Sequence, residues 1–268
     1  MLRPDPRRCS GRPLGSLAAV LLAMTTLAAC STDETGRCLV SGAGSPAESQ
    51  TLREACERAV PVVESLWPGW SGQVRIVRSS NALPPGIAAQ VEGRVMPGQP
   101  AEDDRLLVGP DVVSGLSPEG LDVVMRHELT HVAMRSTGTA AVPSWASEGL
   151  AEFAGYEGVP DVRRERREDL LSLSAAVDDG TWTDALPDIA QVQDLRTRSL
   201  AYTAAWLGIA VLVETFGIEA VTEAMRPVDG EKSADDDQER ADRFLRRLGV
   251  QRSWLEERWH SELERRVG

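Results

Sequence analysis

Two of the chain's three histidines stand four residues apart, in His127-Glu128-Leu129-Thr130-His131, and the third is His260. One turn of α-helix takes about 3.6 residues, so a helix here projects both imidazoles from one face, where they can share one ion. Glu128 then lies beside them, placed to take a proton from a water that the ion activates. Taken alone, the five residues also fit a helix with two surface histidines and an incidental acid.

The flanking sequence predicts that helix. Ser117 is a good N-cap, Pro118 suits the first helical position, and Gly138 offers a stop. Leu121, Val124, Met125, Leu129 and Val132 make an apolar stripe at helical spacing, so one side should be buried. Just upstream, the stretch from Asp104 to Pro110 reads as a short strand ended by Gly-Pro. A strand leading into such a helix suits a cleft whose edge strand holds an extended substrate.

A second helical segment follows from Pro143 to Phe153, and it carries Glu148 and Glu152 one turn apart on one face. A catalytic zinc site with two histidines needs one further protein ligand and an open position for water. Glu148 offers an oxygen donor from a helix close behind the first. Glu152 can accept a hydrogen bond from a ligating histidine and fix its orientation. The alternative is an amphipathic helix with two solvated glutamates.

The two motifs together, His127-Glu128-x-x-His131 and Trp145-x-x-Glu148-Gly149-x-Ala151-x-Phe153, resemble the gluzincin metallopeptidases, particularly their small peptidase MA-like relatives. The resemblance covers roughly residues 120 to 156, with a weaker likeness of helical pattern to the C-terminus. It implies His127, His131 and Glu148 as zinc ligands, one zinc ion per chain, and Glu128 as general base. Thermolysin-like enzymes carry an aspartate where this chain has Glu152, which puts its supporting role on chemistry rather than identity. A zincin-like fold is implied too: an α+β chain with a small N-terminal sheet, a mainly helical half, and the active-site cleft between them.

Residues 1–29 read as an export signal. Arg3, Arg7, Arg8 and Arg12 form a positive start, and Leu17 to Ala29 form an apolar run. That run is shorter than the roughly 20 residues a membrane span requires. Leu27-Ala28-Ala29-Cys30 resembles a bacterial lipobox, which implies cleavage before Cys30, lipid on its sulfur, and attachment to the extracytoplasmic face of the cell membrane. An ordinary signal peptide with a nearby cysteine is the alternative. The Arg7-Arg8 pair hints at twin-arginine export, but its flanks fit the general secretory route better. Removing the signal leaves 25 basic and 40 acidic residues, a formal charge of −15. Such a chain has no overall field that seeks nucleic acid or anionic headgroups, so membrane attachment falls to acyl chains.

Of the cysteines that remain, Cys38 and Cys56 can pair in an oxidising compartment, or stay as two inert thiols. The predicted organisation is a flexible tether over residues 30–46, rich in Ser, Thr, Gly and Ala, and one folded domain over 47–268. Within it, Thr51–Trp67 reads as a helix, Gln73–Val77 and Ile87–Val95 as strands, and everything after about residue 117 as mainly helical. The charge-dense runs Arg163–Asp169 and Asp235–Glu239 read as solvated helix faces and loops. The second lacks the ligand spacing of a calcium loop.

Leu200–Gly217 reads as a long apolar helix with too many small and polar residues for a membrane span. Tyr202 near its start is the first choice for donor to the oxyanion that forms when water attacks a carbonyl. Tyr156 and His260 are the alternatives, and a packed, satisfied Tyr202 is the plainer one. These readings converge on a lipid-anchored, extracytoplasmic zinc metallopeptidase acting on a peptide or protein substrate. Two rivals remain: a zinc-binding lipoprotein that carries or senses metal, and an envelope scaffolding module with a vestigial site.

Overall fold

The computed structural model describes residues 36–70, 72–94, 100–138, 142–158, 162–183, 185–228 and 236–268. The signal sequence, Cys30 and the start of the tether lie outside them. The chain is α+β. A four-stranded sheet is built from β1 (Cys38–Gly42), β2 (Val74–Arg78), β3 (Ala89–Arg94) and β4 (Glu102–Val108), in the order β1-β2-β4-β3. β1 pairs with β2 and β2 with β4 in parallel, while β3 runs antiparallel along β4 as an edge strand. α1 (Pro46–Leu66) lies between β1 and β2 in sequence. After the sheet come α2 (Val112–Gly115), α3 (Pro118–Ser136), α4 (Ser144–Tyr156), α5 (Val162–Asp178), α6 (Ile189–Gln193), α7 (Arg198–Phe216), α8 (Ile218–Met225), α9 (Asp237–Arg247) and α10 (Arg252–Val267).

The tether expectation is corrected over its last residues. Residues 38–42 form β1, and Ser45 caps α1 in a full capping box with Glu48. Cys38, Leu39 and Val40 are enough for a strand once β2 supplies the parallel partner, in register from Cys38↔Val74 to Gly42↔Arg78. α1 therefore starts five residues earlier than Thr51, with Pro46 in its first turn. Cys38 and Cys56 form a disulfide that fastens β1 to α1.

α3 begins where its caps require. The Ser117 hydroxyl accepts from the Gly120 amide, and Pro118 occupies the first turn. Met125 and Leu129 are fully buried, each contributing roughly 1.5–3 kcal/mol through removal of apolar surface from water. Arg135, in the last turn of α3, clamps the helix to the sheet. It bonds Asp104 of β4 at 2.7 and 2.9 Å and the Gly93 carbonyl of β3 at 3.1 Å. A side chain on Gly93 would strike the Asp104 carboxylate at 1.9 Å, so this three-way clamp needs glycine there.

Behind α3 lies α4, packed on both α3 and α7, and α7 in turn packs on α5, α8 and α10. α7 is the helix among the described residues long and apolar enough to cross a membrane, and most of its apolar stretch is buried inside the chain. Both charge-dense runs are corrected in part. Arg166, inside the first, is 3% exposed. In the second, Asp236 caps α9 and Asp237 accepts from the amide and hydroxyl of Ser144, so it closes the N-terminus of α4.

Candidate metal centre

Each helix of the α3–α4 pair brings its functional side chains to the seam between them. From α3, Nε2 of His127 and Nε2 of His131 lie 3.2 Å apart. From α4, Oε2 of Glu148 lies 3.4 Å from the first and 3.3 Å from the second. Among the described residues these three form the cluster whose donor atoms converge closely enough to hold a metal. A tetrahedral ion with bonds of about 2.0–2.1 Å keeps neighbouring ligand atoms about 3.3–3.4 Å apart, so the triangle already has the size of one face of such a site. Oε2 of Glu148 is buried and makes no hydrogen bond. A buried carboxylate oxygen left so is costly unless a cation belongs beside it.

The outer nitrogens of both rings are also engaged. Nδ1 of His127 is 3.3 Å from Oε1 of Glu152, and Nδ1 of His131 is 3.4 Å from the Ser147 hydroxyl. With Nδ1–H donating outward, each Nε2 keeps its lone pair for the centre. Glu152 is in turn ion-paired to Arg166 of α5.

Electrostatics describe a site short of positive charge. Burial pushes His127 toward neutrality, but Glu148 and Glu152 outweigh it and raise the pKa well above the usual imidazole value. Burial would push the carboxyls of Glu148 and Glu152 up; instead the histidines, and Arg166 for Glu152, hold both below the usual range. Glu128 behaves differently. Burial lifts its pKa, opposed by the two histidines, and the Val91 amide of β3 faces its carboxylate as a donor. It stands beside the ligand triangle without being part of it.

The centre opens into a cavity of about 550 Å³. Ala89, Gln90 and Val91 of edge strand β3 form one wall, and Ile189, Val192 and Tyr202 from α6 and α7 form another. Tyr202 sits with its ring centroid 5.9 Å from that of His127, and burial and the nearby carboxylates raise its pKa, so it stays a proton-bearing donor. Tyr156 does not line this cavity; its ring lies under the Arg166 guanidinium at 3.7 Å. His260 packs edge-on against Trp259 and lines a separate small pocket with Arg252 and Glu256.

The sequence reading missed Arg166 and Ser147. Arg166 shares a helical stripe with Leu170 and Leu173, both buried, and that spacing was its available signal. Ser147 carried none beyond its place next to Glu148. No family model, curated protein or solved structure matches the chain.

Proposed function

We propose that the chain is a zinc metallopeptidase of the gluzincin kind, lipid-anchored outside the cytoplasm. One observation carries the enzymatic part: Glu128 is a buried carboxylate left outside the ligand triangle, lining a cavity walled by an edge strand. A metal carrier or sensor has no need of that carboxylate, and a scaffold has no need of the triangle.

His127, His131 and Glu148 are the residues that would hold the metal. Zinc, when bound, supplies a Lewis acid that polarises a carbonyl and lowers the pKa of a water to about 7. Glu128 takes the proton from the attacking water and returns it to the leaving amine. Its raised pKa suits both halves of that transfer better than an ordinary carboxylate would. Tyr202 donates its hydroxyl hydrogen to the carbonyl oxygen as charge builds there. β3 is the end strand of the described sheet and lines the cavity. The backbone groups on its outer edge, beyond the Val91 amide and the Gly93 carbonyl, are those an extended peptide would use in strand addition.

A mixed peptide library incubated with the purified protein tests this reading. Hydrolysis that stops on chelation, returns with zinc, and is absent in Glu128→Gln with zinc still bound is the expected result. Zinc uptake with no cleavage in any sample would leave the carrier reading standing instead.

A further inference from the structure

Arg166 takes no part in the chemistry proposed above, yet it is 3% exposed and reaches from α5 to both α4 and α7. From α5 its guanidinium makes an ion pair with Glu152 of α4 and stands 3.4 Å from Asp169. It stacks 3.7 Å over the Tyr156 ring of α4 and lies 5.1 Å from the Trp206 ring of α7. Glu152 is the carboxylate 3.3 Å from Nδ1 of His127, and Nε2 of that ring faces the ligand triangle.

A continuous run of contacts therefore passes from Trp206 and Tyr156 through Arg166 and Glu152 to His127. Burying an ion pair gains little stability by itself, because desolvation offsets the attraction. What a flat guanidinium held against two aromatic rings does supply is direction. Its fork fixes where the partner carboxylate points, which a flexible ammonium cannot do as well. We infer that Arg166 is a positioning residue that sets how tightly the centre holds its metal, by keeping the Glu152 carboxylate aimed at Nδ1 of His127. His127 is then locked with Nε2 toward the ion, and the entropy of orienting the ring is lost during folding rather than on binding.

The inference rests on the zinc reading of the centre and is tested by zinc affinity, measured with the full chain by competition against a chelating dye. Arg166→Met should weaken zinc binding about 10- to 100-fold, the range that outer partners of metal ligands command. Arg166→Lys should fall between Met and wild type. On a Glu152→Gln background, Arg166→Met should weaken binding no further, since the carboxylate it aims is gone. Zinc affinity equal to wild type in Arg166→Met, with only the melting temperature lowered, would overturn the inference and leave Arg166 as packing. An equal loss on both backgrounds would overturn it too. If Arg166→Met alone fails to fold, Arg166→Lys is compared on the two backgrounds. Weaker binding confined to the wild-type background supports the inference, and unchanged binding overturns it. A wild-type chain that takes up no zinc overturns the metal reading and this inference together.

Discussion

Gly149 lies directly against the backbone of Ala205, so close that a methyl group on Gly149 would meet the Ala205 carbonyl oxygen at 2.4 Å. This contact lets α4 and α7 approach until Glu148 and Tyr202, one from each helix, line the same cavity. The glycine that follows Glu148 is thus a spacing device for the two walls of the site.

Gly149→Ala tests that relationship. In an exposed helix the change would add about 1 kcal/mol of stability through helix propensity. Here the clash with a backbone carbonyl cannot be relieved by a rotamer, so a net destabilisation of about 1–3 kcal/mol is expected, with weaker zinc binding as Glu148 moves. Thermal unfolding with and without zinc reads both effects. An unchanged or higher melting temperature would show that the helices are not this close.

Zinc binding should release protons near neutrality. In the metal-free protein His127 has its pKa raised well above 6.5, and a proton at Nε2 must leave before that nitrogen can ligate. At pH 7 about one proton per zinc is expected, seen by calorimetry in buffers of different ionisation enthalpy. Apparent zinc affinity then falls about tenfold per pH unit on the acid side. The stability linkage has the matching sign. For a group whose folded pKa is raised, the contribution to the metal-free fold is complete below about 6.5 and lost as pH climbs through the folded value. Zinc-dependent stabilisation should therefore grow from pH 6 to pH 8. Proton release indistinguishable from zero at pH 7 would contradict the charge arrangement at His127.

Tyr202→Phe keeps the ring and its packing and removes only the hydroxyl. A donor used only as charge develops predicts kcat lower by about 10²-fold, with KM and zinc content little changed. Tyr156→Phe is the comparison, and its distance from the cavity predicts no such loss. The opposite pattern would remove Tyr202 from the mechanism.

The anchoring proposal turns on Cys30. More than one acyl chain gives a stable anchor, because each buried CH₂ contributes about 0.8 kcal/mol. Cys30→Ser should block incorporation of labelled fatty acid and leave the protein unprocessed or shed. Failure of the wild-type chain to take up the label would contradict a lipidated Cys30.

The parts of this molecule that local chemistry specifies were legible in the sequence. Ser117 and Pro118 fix the start of α3, and the four-residue spacing of His127 and His131 fixes their common face. The parts that depend on a distant partner were not. β1 is five residues in a Ser- and Gly-rich stretch, and it becomes a strand because β2, more than thirty residues on, offers a parallel edge. Arg166 reads as one charge among many until Glu152, fourteen residues earlier, and the rings of Tyr156 and Trp206 give it a buried place. Asp237 likewise closes the N-terminus of α4 from 93 residues away, beyond the reach of any local capping rule.

The disulfide at the first residue of β1 also has a mechanical meaning. Tension applied to the chain ahead of residue 37 first meets Arg37, whose carbonyl accepts from the Val74 amide and whose guanidinium pairs with Glu64 of α1. At the next residue a covalent bridge leads from Cys38 to Cys56 in the middle of α1. The load passes into a helix packed on α3, and the hydrogen bonds between β1 and β2 are not peeled apart in sequence. Without the bridge, the same pull would work at the end of a five-residue edge strand paired on one side. With the bridge, such a load would thus be taken up by α1, while β3, at the opposite end of the sheet order from β1, lines the cavity away from it.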